Sequence, residues 1–407
     1  MVTGEKNKKA GKKPQKKQAA PASAKRALLP AAAKPDALKS AQLATEGSPQ
    51  SKFAMPTGVF YNPEMELCRD MFSLFTGTLP EKIGVADLMC ASGIRGLRYK
   101  IENRNVSSLS MSDLSEKAIA CAKKNAKMNR VKCNVEYIDA CEFPRKHKGE
   151  YDLLELDPFG TPVPFLHDAI KSFEDRKEGF LSITATDMAV LCGANHAACL
   201  KNYGAAPLDN EFCHENAVRI LLGKIVLASA QFNLGIDPLF SFSHRHYVKV
   251  ALRLEKGAEK AVACVKKMGY VSYCPGCCWR ESSRLPRHQA CPLCAHQLAI
   301  GGPMYLGHLW DGKTLEGMQK QNAKRDYQKK AQLEKMLLTI QAESRVGTLG
   351  YYDLHVLAKK KGTRIAGMDD ALAAMRNAGF LAERTHFSPT SIRTNAPHDE
   401  VVRRLAK

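Results

Sequence analysis

The stretch that decides the fold reads YDLLELDPFGTPVPFL, over residues 151–166. Its first half is a short apolar run that predicts a buried strand ending at Asp157, Pro158, Phe159 and Gly160. An acid, a turn-forming proline and an aromatic at a strand end suit the holding of a planar nitrogenous base by its exocyclic amine. Taken alone, these four residues also fit an ordinary tight turn with a core phenylalanine.

An earlier apolar run, Ile83–Leu88, predicts a second strand and leads into Met89, Cys90 and the sequence ASGIRG at 91–96. Small residues and glycines let the backbone approach a ligand that faces a helix N-terminus. The loop lacks a full glycine triplet, so it is a weak dinucleotide fingerprint.

Acids also end two further predicted strands. Leu109–Ser112 ends at Asp113, where a carboxylate can accept hydrogen bonds from both hydroxyls of a ribose. Asn134–Ile138 ends at Asp139 and Ala140, where a carboxylate can take an adenine amine. Each acid singly is more often a helix cap. Three in order, at strand–helix spacing, indicate an S-adenosylmethionine-dependent methyltransferase rather than a dehydrogenase.

Alternating elements continue beyond residue 160. The patterns predict a helix at Pro164–Phe173, a strand at Phe180–Thr186, an amphipathic helix at Cys213–Phe232 and a strand pair over Leu239–Leu254. Strands alternating with helices predict an α/β fold with a doubly wound, Rossmann-like sheet of the class I methyltransferase type, edged by an antiparallel hairpin. Four polar residues in this part are, singly, more often structural than catalytic: Asp187, His214, His244 and His246.

The size of the chain and its cysteines bound the class of protein. At 407 residues with 44% hydrophobic content, the chain is long enough for two or three domains. It has no apolar stretch of membrane-spanning length and no signal-peptide pattern, so we expect an intracellular, cytoplasmic protein. Most of its fourteen cysteines are scattered, and we interpret those as reduced core thiols.

The net charge of +20 is unevenly distributed. Residues 1–40 hold eleven Lys or Arg against two acids, which with their Ala, Pro and Gln content predicts a disordered basic tail over 1–47. The folded part is also basic, notably at Lys320, Lys324, Arg325, Lys329 and Lys330. Such an excess favours a polyanionic partner, first of all nucleic acid. A solvated helix face with a solubilising tail is the alternative.

The strongest metal signal is a pair of CxxC knuckles thirteen residues apart, at Cys274, Cys277, Cys291 and Cys294. Four thiolates at this spacing predict a closed structural zinc site rather than a redox pair, although the adjacent Cys278 complicates the count. Basic residues between the knuckles could face a phosphate backbone or be plain loop residues: Arg280, Arg284, Arg287 and His288.

The last stretch, 333–407, contains three helix patterns, at Leu333–Glu343, Tyr352–Lys361 and Asp369–Ala378. Two short extended runs follow, at Leu381–Phe387 and Ser391–Asn395. Three helices and a small hairpin predict a winged-helix-like segment, an arrangement common in nucleic-acid binding.

Several separate motifs, in order, resemble the tRNA guanine-N2 dimethyltransferases that act at guanine 26, and most closely the archaeal ones. The resemblance covers about residue 47 to the C-terminus. It rests on FYNP at 60–63, Arg69–Asp70, ASGIRG, DPFGTPVPFL, ATDMAVLCG at 185–193, YGAAPL at 203–208 and CHENAVRI at 213–220. TPVPF departs mildly from the SPxPF usual in that family, and the basic tail is an addition.

The resemblance implies a role for each candidate residue. At the acceptor, Asp157 would accept hydrogen bonds from the guanine N2 amine and help to remove its proton, and Phe60 and Phe159 would clamp the flipped base. At the donor, S-adenosylmethionine would be held by a set of five residues: Arg69 at the methionine carboxylate, Arg95 from the glycine loop, Asp113 at the ribose, and Asp139 and Ala140 at the adenine.

The predicted organisation is therefore a tail (1–47), a methyltransferase domain (48–256) and a tRNA-binding domain (257–407) with its zinc site at 274–294 and the winged segment at 333–407. We expect a monomer that binds tRNA and no membrane. Three alternatives stay open, namely a zinc-containing RNA-binding protein with an inactive sheet domain, a nicotinamide oxidoreductase, and an adenine-N6 enzyme acting on DNA.

Overall fold

The computed structural model describes residues 42–405, which begin with a hairpin of β1 (Gln42–Glu46) and β2 (Ser51–Met55). The side chain of Asn125 holds this hairpin, because its Oδ1 accepts from the Ala54 N–H at 2.7 Å and its Nδ2 donates to the Ala54 carbonyl at 3.1 Å. Residues 1–41 of the predicted tail lie outside the described residues. The tail was predicted to extend to residue 47, which is too far along the chain, because composition does not reveal that Gln42–Glu46 pairs with β2.

The main sheet has seven strands: β3 (Ile83–Asp87), β4 (Val106–Asp113), β5 (Asn134–Tyr137), β6 (Leu153–Leu156), β7 (Glu178–Ala185), β8 (Leu234–His244) and β9 (Tyr247–Lys256). Their spatial order is β5-β4-β3-β6-β7-β9-β8. The first five are parallel, and the hairpin of β8 and β9 joins the edge with β9 antiparallel to β7. The predicted α/β sheet and its antiparallel hairpin are confirmed.

Helices cover both faces of this sheet: α1 (Glu66–Thr76), α2 (Ile94–Glu102), α3 (Glu116–Met128), α4 (Glu142–Lys146), α5 (Val163–Lys171), α6 (Met188–Leu191), α7 (His196–Tyr203) and α8 (Cys213–Ala230). Successive side chains of a strand point to opposite faces of the sheet, so each strand contributes to two separate cores. Leu153 packs on the side of α1 and α2, whereas Leu154 packs on the side of α5 and α8. A sheet buried on both faces explains the nearly continuous apolar runs of the sequence.

The strand order fixes where a ligand can bind. β3 lies between β4 and β6, so the chain winds away from β3 in two directions. Open α/β sheets bind ligands in the crevice that this reversal leaves beyond the carboxyl ends of the strands. The acids Asp113 and Asp157 stand at that edge, at the end of β4 and directly after β6.

A small antiparallel sheet follows the helix α9 (Ala258–Val265) and consists of β10 (Met268–Tyr273), β11 (Arg280–Ser283) and β12 (Ala299–Tyr305). Met304 and Tyr305 of β12 are buried in the same core as α8. The predicted boundary at 256–257 therefore does not separate two cores, and the division into domains stays a prediction.

The remaining elements are α10 (Gly312–Ala323), α11 (Lys330–Ser344), β13 (Tyr352–Asp353), α12 (Leu354–Lys361), α13 (Met368–Arg376), β14 (Ala382–Thr385), β15 (Ser388–Thr394) and α14 (His398–Leu405). The segment from β13 to α14 has a core of its own. The first predicted helix of the winged segment differs, because Leu333, Leu337 and Ile340 of α11 pack in the core beside α1. Tyr352–Asp353 is a strand rather than helix, and α14 was not predicted.

A buried ionic cluster joins this terminal segment to the sheet. Arg393 of β15 donates to Glu215 of α8 at 2.7 Å and to Glu343 of α11 at 3.2 Å. Arg219 also donates to Glu215, at 2.8 Å. Both carboxylates are fully buried, and their charge is balanced by these guanidinium groups and, at Glu343, also by His386.

Two further expectations concern cysteines and membranes. All fourteen cysteines lie within residues 42–405, and all are free thiols, nine of them buried. Among the helices of this part of the chain, none is long and apolar enough to cross a bilayer.

Candidate active site

A cavity of about 760 Å³ opens at the carboxyl ends of the parallel strands. All eight catalytic and cofactor-binding candidates from the sequence line it: Phe60, Arg69, Arg95, Asp113, Asp139, Ala140, Asp157 and Phe159. They come from separate segments over a hundred residues of chain, and the parallel strands bring them to one edge. The groups predicted for donor and for acceptor thus share one cavity.

Asp113 is held rigidly at one end of this cavity. Its Oδ2 accepts from the Ala91 N–H at 2.9 Å, and its Oδ1 accepts from the Ser115 N–H at 2.8 Å. The loop that places Ala91 turns through Gly93, whose φ is +76° and where a Cβ would lie 3.1 Å from the Ala122 Cβ and 3.2 Å from the Met111 sulfur, a tight contact. A carboxylate fixed in this way keeps lone pairs on both oxygens for a pair of neighbouring hydroxyls.

Asp139 lies close by, two residues after β5. Its Oδ1 accepts from the Cys141 N–H at 2.7 Å, and its Oδ2 has no partner among residues 42–405. The buried Ala140, the exposed Leu114 and Phe165 complete an apolar wall around it. An acceptor oxygen beside an apolar wall fits the amine and the ring of an adenine.

Two exposed aromatic rings also line the cavity, and one of them follows β6, on the other side of β3 from β4 and β5. Phe60 and Phe159 meet edge to face with ring centroids 4.6 Å apart, although their side chains are 51% and 75% exposed. Two exposed apolar rings in contact at the lining of a cavity form a patch of the kind that marks a binding site, unlike a single exposed side chain. A base held between them replaces the contact that the rings make with each other.

Asp157 lies behind these rings in a network of buried charges. Its carboxylate pairs with Arg95, whose Nε is 3.6 Å from Glu155. Glu155 in turn pairs with the fully buried Lys249 and accepts from the Tyr99 hydroxyl at 3.0 Å. Arg95 was predicted to contact the cofactor, which stays a prediction; its guanidinium pairs with Asp157.

The network sets the charge state of its acids. Burial raises the pKa of Asp157, but the charges of Arg95 and Lys249 outweigh burial and hold this pKa at about 2. Burial and the neighbouring Glu155 raise the pKa of Asp87, at the end of β3, to about 7. Asp157 is therefore an ionised hydrogen-bond acceptor at neutral pH and a weak base.

Arg69 has a partner that the sequence did not indicate. Its Nε donates to Glu46 at 2.8 Å, and its Nη2 donates to the Asn62 carbonyl at 3.1 Å. Its Nη1 has no hydrogen-bond partner within residues 42–405. Glu46 also accepts from the Tyr61 hydroxyl at 2.8 Å, so one buried carboxylate orients two residues of the cavity wall.

Comparison with known proteins agrees with this geometry. Residues 40–406 match the model of the family described as N2,N2-dimethylguanosine tRNA methyltransferase. The chain belongs to this family. A tRNA (guanine(26)-N(2))-dimethyltransferase of Methanobrevibacter smithii is 34% identical over 85% of this chain and 90% of that protein. A tRNA (guanine(26)-N(2)/guanine(27)-N(2))-dimethyltransferase of Aquifex aeolicus is 36% identical over 85% and 89%.

A solved relative is similar over nearly the whole molecule. It is the complex structure of Trm1 from Pyrococcus horikoshii with S-adenosyl-L-methionine, which has a TM-score of 0.82 and 31% identity. The match covers 90% of this chain and all of that one. Membership in the dimethylguanosine family confirms the predicted resemblance and disfavours the oxidoreductase and adenine-N6 alternatives.

The four knuckle cysteines are also brought together. Their sulfur atoms lie within 4.8 Å of one another, with Cys274 3.3 Å from Cys294 and Cys277 3.6 Å from Cys291. A tetrahedron with Zn–S bonds of about 2.3 Å has sulfur–sulfur edges of about 3.8 Å, so the donor set fits zinc. Cys278 does not join it, since its sulfur lies 3.7 Å from the Tyr273 hydroxyl.

Some basic residues predicted to face a polyanion are used inside the protein. Arg280 pairs with Glu211 and lies over the rings of Phe212 and Tyr352. Arg325 donates to Asn103 at 2.9 Å. The neighbouring candidates Lys320, Lys324, Arg284, Arg287 and His288 remain exposed.

Glu46, Glu155 and Lys249 were not predicted from the sequence as residues of the site. Two of them leave a signal, because a Glu inside LLEL and a Lys inside YVKVAL are charges in apolar strands. Such residues are almost never buried without a partner, which suggests a pair between neighbouring strands. Glu46 leaves none, because it was assigned to the tail. Of the four polar residues considered structural in the sequence, only His246 lines the cavity, and Asp187, His214 and His244 do not.

Proposed function

We propose that the protein transfers methyl groups from S-adenosyl-L-methionine to the exocyclic N2 of guanine 26 in tRNA, giving N2-methyl- and N2,N2-dimethylguanosine. The observation that carries the proposal is that Asp157 and two exposed rings line the same cavity as Asp113 and Asp139. Family membership and the relatives named above support the substrate and the donor. The chain alone, as a monomer, supplies every residue used below.

The donor end suits the cofactor. Asp113 can bind both ribose hydroxyls with the lone pairs that its two backbone contacts leave free. Asp139 and Ala140 can meet the adenine. Arg69, oriented by Glu46, keeps Nη1 for the methionine carboxylate. S-adenosyl-L-methionine supplies a methyl group on a positively charged sulfur, which becomes a neutral thioether when the methyl leaves.

The acceptor end suits guanine. Phe60 and Phe159 can stack on a base taken out of the RNA fold, since their rings are open to solvent. Asp157 can then accept a hydrogen bond from the N2 amine, and the backbone carbonyl of Pro158 is the neighbouring acceptor for its second N–H. Holding both N–H bonds fixes the amine for an in-line approach to the methyl group.

The charge of Asp157 assigns it an electrostatic role. The amine nitrogen becomes positive as its bond to the methyl carbon forms, and an anion already in place stabilises this charge without reorganisation. Because its pKa is about 2, Asp157 stays anionic throughout the neutral range. It can take the surplus proton transiently and pass it to water, so that the carboxylate is restored.

We also propose a tRNA-binding role for the part after residue 257, with a structural Zn²⁺ on the four knuckle cysteines. Exposed cations at Arg284 and Arg287 lie between the knuckles, and the segment from β13 to α14 has the strand and helix order of a winged helix. Four thiolates leave no open position, so this zinc would hold the knuckles and take no part in catalysis.

The test is nucleoside mass spectrometry of unmodified tRNA incubated with the protein and S-adenosyl-L-methionine. N2-methylguanosine and N2,N2-dimethylguanosine at position 26 are expected. Asp157→Ala should abolish transfer but leave cofactor binding nearly intact, because Asp157 lies at the acceptor end. Asp113→Ala provides the matched comparison and should mainly raise the dissociation constant of the cofactor in calorimetry.

Two outcomes would contradict the proposal. If the parent protein binds tRNA but leaves no methylated guanosine, the chain is an inactive RNA-binding protein. If Asp157→Ala methylates tRNA at the parent rate, Asp157 does not act on the amine.

A further inference from the structure

A second cluster of metal-binding groups lies outside the knuckles, where the end of α6 meets the start of α8. Cys192, Cys213 and His214 each offer a ligand atom, and these three atoms lie within 4.8 Å of one another. Cys192 is the residue after α6, and the other two are the first residues of α8. Helix α7 lies between them in the chain, so two separate elements converge on one point.

The thiols of Cys192 and Cys213 differ from the core cysteines outside the knuckles that bond to backbone or to a hydroxyl. Buried Cys121 and Cys264 lie within hydrogen-bond distance of backbone carbonyls, at 3.3 and 3.2 Å, and Cys278 is beside the Tyr273 hydroxyl. Cys192 and Cys213 instead face each other, are only half-buried and have an imidazole beside them. An ordinary core thiol needs neither the second sulfur nor the imidazole.

The backbone around the cluster is shaped to hold it. Gly193 follows Cys192 with a φ of +105°, and a Cβ there would lie 2.9 Å from the Asp209 nitrogen. The Cys213 N–H donates to the Asn210 carbonyl at 3.1 Å, which fixes the start of α8. Because the two loops are locked against each other, the ligand atoms need little ordering when an ion binds.

We propose that Cys192, Cys213 and His214 form a second zinc site, with two thiolate ligands, one imidazole and one position open to water. Two sulfurs and a nitrogen are a ligand set that suits Zn²⁺ better than the oxygen-seeking Mg²⁺ or Ca²⁺. On binding, each thiol releases its proton to solvent and no electron is transferred.

The position of this site gives it a structural consequence. The segment between Cys192 and Cys213 contains Tyr203, whose hydroxyl donates to Asp187 at 2.8 Å and accepts from Thr161 at 3.0 Å. Thr161 belongs to the turn that carries Phe159. An ion joining α6 to α8 therefore fixes the segment that supports the base-binding turn from behind.

The experiment measures zinc per chain by plasma mass spectrometry on the full-length protein purified without chelator. We expect two equivalents in the parent protein and one in Cys192→Ser and in His214→Ala. Cys133→Ser is the matched control, since Cys133 is a half-buried thiol outside both clusters, and it should keep two. Cys274→Ser should lose one equivalent independently of the others. One equivalent in both the parent and Cys192→Ser would overturn the proposal.

A second measurement needs no variant. Native protein is alkylated with iodoacetamide before and after treatment with a chelator, and the labelled peptides are mapped. Cys192 and Cys213 should react only after the metal is removed, whereas Cys133 should react equally in both. Equal labelling of Cys192 with and without chelator, or recovery of a Cys192–Cys213 disulfide, would refute a metal site. Neither readout uses methyl transfer, so this inference and the proposed function can fail separately.

Discussion

Replacing Phe159 tests whether a flipped base is held by stacking. The side chain is 75% exposed and touches Phe60 edge to face at 4.6 Å. We expect Phe159→Ala to slow methyl transfer strongly while leaving the fold and the cofactor affinity unchanged. The physical reason is that an exposed ring contributes little to folding, whereas its face is the surface available to a base that has lost its stacked neighbours.

The magnitude follows from the geometry. Stacking of a base on an aromatic side chain contributes about 1–3 kcal/mol. At about 1.4 kcal/mol for each factor of ten, Phe159→Ala should lower kcat/KM by about 5- to 150-fold. The Phe60–Phe159 contact itself is worth about 0.5–1.5 kcal/mol when buried, and exposure reduces it, so thermal unfolding should hardly change.

Three substitutions at this position separate stacking from plain apolar contact. Phe159→Tyr keeps the ring and should retain most activity, Phe159→Leu keeps apolar volume without a ring, and Phe159→Ala keeps neither. The assay is kcat/KM for methyl transfer to an unmodified tRNA transcript, with calorimetry of cofactor binding beside it. Val262→Ala, at an exposed position of α9, is the control for loss of surface apolar area. A leucine variant as active as the tyrosine variant would refute stacking, and a parallel loss of cofactor affinity would show that Phe159 acts at the donor end.

Two further predictions concern buried charges. Glu46→Gln should lower the free energy of unfolding by about 3–5 kcal/mol, because it leaves the buried Arg69 without a charged partner. Thermal melts should show this loss. Glu400→Gln, which removes a carboxylate paired with arginines at the surface, is the control and should show no such loss. Burial raises the pKa of Glu215, but Arg393 and Arg219 bring it to about 2, below its ordinary 4.5. The ionised Glu215 therefore stabilises the fold above about pH 4.5, and this stabilisation is lost as the pH falls toward 2. Glu215→Gln should flatten the acid limb of a plot of stability against pH. An unchanged acid limb would contradict the lowered pKa of Glu215.

The acids of the cavity could be predicted from the sequence because their placement is local. Asp113 and Asp157 come directly after or at the end of an apolar strand, and parallel strands end at the same edge of a sheet. The hairpin of β8 and β9 and the helix α8 were predictable for a similar reason, since their periodicity is contained in their own residues.

The partners of the arginines could not be predicted in this way. Arg69 pairs with Glu46, 23 residues earlier in the chain, and Arg95 pairs with Asp157, 62 residues later. Family resemblance assigned both guanidinium groups to the cofactor, and periodicity says nothing about which acid folds against them. The pairing of Arg69 depends on β1 of the hairpin, Gln42–Glu46, which composition had assigned to a disordered tail.

Local patterns likewise identified helices without showing which core each one joins. The apolar residues of α11 predict a helix whether it packs beside α1 or against the terminal segment. Only the tertiary structure shows that Leu333 and Leu337 join the core beside α1, while Glu343 near the end of the same helix bonds to Thr385 and Arg393 of the terminal segment.

The buried salt bridge between Arg393 and Glu215 limits how this enzyme can be truncated. A truncated protein that ends before β15 would keep Glu215 in the interior with Arg219 alone, and Glu343 would lose its guanidinium altogether. Dissection into a free-standing catalytic half therefore weakens the charge balance of both buried acids, and Glu343 would then depend on the imidazole of His386.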